Sequence, residues 1–175
     1  MKQDLPQTNT TRNMLVAALL VLALAAMGYT VWSQFAAAGG KSGNYFLDLN
    51  TGKIFVGPES AWAPIVTPSG PHEDEPAGVR VFLFSCAECG DLDGRTLDEA
   101  KALGATALWV EKYTAEAKKA LEGGDRSPET IMNGLVMRAP TTGRWMSPSS
   151  PEGVSIRNTV AKFCSGRAAK PCTPR

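Results

Sequence analysis

The sequence predicts an α+β fold: one N-terminal transmembrane helix followed by a small mixed α/β exported domain stapled by four cysteines. Three observations carry this. No charged residue lies between Arg12 and Lys41, and residues 14–32 (MLVAALLVLALAAMGYTVW) are almost wholly apolar. Beyond them, strand patterns alternate with capped helix patterns, as in a small mixed domain. Four cysteines stand in two pairs, Cys86 with Cys89 and Cys164 with Cys172.

The 19 residues of the apolar run would make a helix of about 28 Å at ~1.5 Å per residue, close to a bilayer core of about 30 Å. The expected organisation is a cytoplasmic segment 1–12, a transmembrane helix 13–34, a flexible tether 35–43 and an exported domain 44–175. Lys2, Arg12 and the amino terminus precede the run, and the next cation is Lys41. This bias places the amino terminus in the cytoplasm of a bacterium, the span in its inner membrane and the domain on the periplasmic side. Tyr29 and Trp32 then fall at the outer interface, where amphipathic rings are favoured. The rival reading is a cleaved signal peptide, with Ala36-Ala37-Ala38-Gly39 as its small-residue end, although the run is long for a signal core. No cysteine follows the run closely, which argues against a lipoprotein.

Residues 41–175 hold 16 Lys and Arg against 16 Asp and Glu. A neutral domain argues against nucleic acid as a partner. The expected partners are the lipid bilayer, through residues 13–34, and a protein of the envelope. The charge is uneven along the chain: eight acids fall between Glu73 and Glu99, and only cations follow Glu152. The bland account is two solvated faces; the sharper one brings the acidic middle and the basic tail together.

The elements follow in order. YFLDLNTGKIFVG (45–57) is two aromatic and branched runs around Asn50-Thr51-Gly52, a hairpin signal. Residues 57–78 carry five prolines and read as an irregular connector. VRVFLF (79–84) is the strongest strand, apolar enough to be central. Residues 95–103 predict a short helix capped by Thr96, and 105–110 another strand. Thr114 caps a helix to Leu121, closed by glycines, and Ser127-Pro128-Glu129 opens the next. Residues 135–146 suggest a hairpin around Thr141-Thr142-Gly143, and Ser150-Pro151-Glu152 starts the last helix.

The cysteines are the one constellation with chemical content, and three chemistries compete. Disulfides suit an even count in a small exported domain, and sequence cannot choose among three connectivities. A structural zinc site suits Cys86-x-x-Cys89-Gly90, although the seven residues between Cys164 and Cys172 exceed the usual spacing. Redox catalysis suits a strand running into Cys-x-x-Cys. Gly90, Asp93 and Gly94 oppose it, because they break the helix that should lower the first thiol's pKa. No cofactor other than this possible zinc is implied. His72, the sole histidine, lies in an acidic, proline-rich loop and reads as solvated. Asp91, Asp93 and Gly94 do not fit a calcium-loop register, and no nucleophile motif surrounds Ser85, Ser147 or Ser149. Trp62, Trp109 and Trp145 read as core or hairpin packing. No catalytic set emerges, so the chain reads as a non-enzyme.

The segments YFLDLNTGKIF (45–55), PIVTPSG (64–70), GVRVFLFSCAEC (78–89), EKYTAEAKKALE (111–122), RWMSPSSPEG (144–153) and FCSGRAAKPC (163–172) resemble an uncharacterised family of single-span bacterial envelope proteins of planctomycete type. The resemblance implies no activity, only that anchor, hairpin and paired cysteines belong together. Taken whole, the sequence points to a membrane-anchored structural or interaction module, such as an accessory subunit of an envelope assembly. The alternative is a tethered thiol–disulfide oxidoreductase using Cys86 and Cys89.

Overall fold

A computed structural model describes residues 43–141 and 143–174. They form a mixed α/β fold on a six-stranded antiparallel sheet. Strands β1 (Gly43–Asp48) and β2 (Ile54–Pro58) make the first hairpin, and Gly52 takes the positive φ of 67° that its turn requires. Strand β5 (Gly78–Ser85) lies at the centre, between β1 and β6 (Ala105–Tyr113), and β7 (Leu135–Arg138) pairs with β6. A two-residue strand, β8 (Lys170–Pro171), pairs with the end of β5 that β1 leaves free. The connector holds a small separate hairpin, β3 (Pro71–His72) with β4 (Glu75–Pro76).

Alternation along the strands gives each face its own core. On the first face Tyr45, Leu47, Ile54, Val79, Val81, Leu83 and Val110 pack with Ala100 of helix α1 (Leu97–Ala102). On the second, Phe84, Trp109 and Met137 pack with Ile156, Val160 and Phe163 of helix α4 (Pro151–Phe163). Trp109 stacks on Phe82 at 4.9 Å between ring centroids on this face. Helices α2 (Ala115–Glu122) and α3 (Pro128–Gly134) pack on each other through Ala117 and Gly134. A Cβ at Gly134 would overlap that of Ala117, so only glycine permits the approach.

The expected fold class is corrected on one point. Among the described residues no helix is long and apolar enough to cross a membrane. The longest, α4, has 13 residues, a rise of about 20 Å against a bilayer core of about 30 Å. It presents one apolar stripe to the sheet and keeps the rest for water. The span expected at 13–34 lies outside the described residues. The described fold is therefore the mixed α/β domain with its disulfides, without a membrane helix.

Candidate functional site

The four cysteines converge at the end of β5. Ser85 is buried, and its Oγ accepts the N–H of Ala87 at 3.1 Å, turning the chain out of the strand. This presents Cys86 and Cys89 to the tail. Cys86 is bonded to Cys164, which caps the C-terminal end of α4, with Cα atoms 5.4 Å apart. Cys89 is bonded to Cys172, with Cα atoms 5.6 Å apart, and the N–H of Cys172 donates to the Leu83 carbonyl at 2.8 Å. Both separations are ordinary for disulfides.

The structure pairs the four cysteines in two disulfides. Each bridge joins the acidic middle to the basic tail, as the sharper reading of the charge pattern expects. Sulfurs bonded in this way are not thiolates and offer no ligand to zinc. Nor are Cys86 and Cys89 bonded to each other, the pairing a Cys-x-x-Cys oxidoreductase requires in its oxidised form. Among the described residues no group of three or more His, Cys, Asp or Glu side chains is placed to hold a metal ion.

At the far end of the sheet each face opens into a cleft. Glu111 and Tyr113 of β6 line one of them, and Lys112 between them lines both. On the second face, a cleft of about 150 Å³ is lined by Trp62, Arg80, Glu111, Tyr113 and Leu135. Trp62 meets Tyr113 edge-on at 5.4 Å, and the Arg126 guanidinium lies 5.1 Å over the Trp62 ring. Burial holds the Glu111 carboxyl above the usual carboxylate range, although the Trp109 indole N–H, donating at 2.9 Å, and the Arg80 and Arg157 charges pull it back. Burial and the neighbouring Glu111 also raise the Tyr113 phenol.

On the first face, a cleft of about 170 Å³ is walled by the β3–β4 hairpin and lined by Lys112, Arg138 and Trp145. Lys112 ion-pairs with Glu75, and its Nζ stands 4.7 Å from the Trp145 ring centroid. The Arg138 guanidinium stands at the same distance from that ring. Its buried Nε has no hydrogen-bond partner. Leaving such a donor unpaired costs about 1–3 kcal/mol. His72 forms one wall, its Nδ1 2.8 Å from Asn50 Oδ1. The Asn50 amide nitrogen already faces the carbonyls of Gly70 and Pro71, so His72 Nδ1 carries the proton in the neutral ring.

Sequence reasoning placed the cysteines and missed these clefts. Lys112 and Arg138 carried no signal of their own in the sequence, His72 read as a solvated loop residue and Trp145 as packing. Only the register that puts Val110 opposite Arg138 and Lys112 opposite Val136 brings both cations to one face. Compared with known proteins, the chain matches no family model, no curated protein and no solved structure.

Proposed function

We propose that the domain is a structural and interaction module exported from the cytoplasm, serving as an accessory subunit of a bacterial cell-envelope assembly. The single observation behind this reading is the crossed pairing of the cysteines. Both sulfurs of Cys86-x-x-Cys89 are spent on fixing the tail and α4 to the central strand, which favours a scaffold over a turnover site. Such bonds persist in oxidising compartments, so the working place of the domain is extracytoplasmic. The opposite end of the sheet, with Trp62, Tyr113, Arg126, Arg138 and Trp145, offers the residue types that dominate protein-binding hot spots.

Two measurements test the reading. Peptide mapping after thiol trapping, on protein taken from cells, should return the Cys86–Cys164 and Cys89–Cys172 peptides and keep them in a glutathione buffer. A Cys86–Cys89 peptide that turns over would identify an oxidoreductase instead. A photo-cross-linking residue in place of Trp62 or Trp145 should yield a discrete adduct with one envelope protein. No adduct at either position would remove the interaction role.

A further inference from the structure

We propose that the cleft between β7, the β3–β4 hairpin and Trp145 binds a single carboxylate, the acidic side chain of a partner segment, with Arg138 as its anchor. The assignment to a partner rests on the interaction-module reading; the chemistry of the site rests on its own geometry.

The charge comes first. Lys112 and Arg138 project from the same face of neighbouring strands, one diagonal apart in the register, and both approach the Trp145 ring at 4.7 Å. The ammonium of Lys112 is neutralised by Glu75. Arg138 has no acid within ion-pair reach among the described residues, and its buried Nε donates to nothing. Of the two carboxylates lining the cleft, Glu75 is therefore committed, and Glu73 sits exposed at the hairpin tip. Among the described residues Arg138 is the cation of the cleft without an ion-pair partner, which suits a monoanion better than a phosphate dianion. Its planar guanidinium can give a carboxylate two N–H···O bonds through Nη1 and Nη2, while the buried Nε lies out of a ligand's reach.

Size and lining narrow the ligand further. The cleft is about 170 Å³; an apolar cavity of roughly 150 Å³ takes up a benzene molecule, so on the order of six heavy atoms fit. A glutamate side chain is a carboxylate on two methylenes. Its stem would lie against Leu49, Val79 and Pro76, the apolar part of the wall. The hairpin that closes the wall carries Glu73 and Asp74 at φ of 50° and 67°, a conformation that costs non-glycine residues free energy. It also delivers Glu75 to Lys112, and so leaves Arg138 as the unpaired cation of the cleft.

The test uses the full chain labelled with ¹⁵N, following the Arg138 Nε–H and Trp145 indole N–H resonances during titration. N-acetyl-glutamate amide should shift both saturably, with Kd on the order of 1 mM. The neutral N-acetyl-glutamine amide should shift neither. Arg138→Gln should weaken binding about tenfold or more. Should that variant fail to fold, Arg138→Lys serves, since it keeps the charge and loses the fork; unchanged affinity there overturns the proposal. So does an equal response to the glutamine analogue, tighter binding of inorganic phosphate, or no saturable shift with the carboxylate. A flat titration alongside a positive cross-link at Trp62 would sink this site while leaving the interaction module standing.

Discussion

Glu111 is the residue whose ionisation the fold opposes. Its carboxyl is pushed up chiefly by burial, and the Trp109 hydrogen bond and the charges of Arg80 and Arg157 offset only part of that. A carboxyl with a folded pKa above its unfolded value contributes stability in full below the unfolded value. That contribution is lost as pH rises through the folded one. The wild-type chain therefore carries a destabilising ionised group at neutral pH. Glu111→Gln keeps an acceptor for the Trp109 N–H and removes the charge, so its Tm should exceed that of the wild type at pH 7 to 8. The two melting curves should converge below about pH 4, where both side chains are neutral. A constant offset across that range would mean that packing, not ionisation, separates them. No pattern in the sequence marks Glu111 as unusual. It stands in EKY on a strand, and its surroundings include Arg80 across the sheet and Trp62 and Leu135 of the cleft, which come from elsewhere in the chain.

At the scale of elements, legibility followed whether the forces were local. Helix α1 is written entirely in its own residues. Thr96 Oγ1 accepts the Glu99 N–H at 3.3 Å, and Glu99 Oε2 accepts the Thr96 N–H at 2.7 Å, a complete capping box. Thr96→Ala should cost about 1 kcal/mol of global stability in urea unfolding. A negligible change would mean that Ala100, buried against the sheet, holds the helix without its cap. The β1–β2 hairpin, central β5 and the proline-started α3 and α4 were equally readable. Three features were not. The β3–β4 turn uses Glu73 and Asp74 where sequence signals demand Asn-Gly or Asp-Gly. Strand β8 has only Lys170 and Pro171, and exists because β1 stops pairing at Arg80 and leaves Leu83–Ser85 open. Residues 135–146 make a hairpin only in outline, with Met137 and Met146 exchanging backbone bonds at 2.8 and 2.9 Å. That exchange covers the β7 edge, while the loop at Asp93–Arg95 covers β2 through the Val56 and Ile54 amides.

At the scale of the whole molecule the two bridges act as one device. The pairings span 78 and 83 residues and interleave, so each begins and ends a few residues from the other. The first bridge to form closes a long loop, worth about 4.5 kcal/mol on the chain-entropy account. The second then closes only a short ring through the first, three residues from Cys86 to Cys89 and eight from Cys164 to Cys172. A ring of about eleven residues is worth roughly 3 kcal/mol on the same account. Removing either bridge alone, as Cys86→Ala/Cys164→Ala or Cys89→Ala/Cys172→Ala, should therefore cost only about 3 kcal/mol. Removing both should cost about 7 kcal/mol, more than the two single losses together. Against a typical total of about 5–15 kcal/mol, a loss of about 3 kcal/mol should leave either single-bridge variant folded, and in the variant without bridges a loss of about 7 kcal/mol should remove roughly half or more of the stability. Urea unfolding of the three variants decides the matter. Single losses that simply add to the double loss would mean that the bridges act on the native packing of β8 and α4 and not on the unfolded chain.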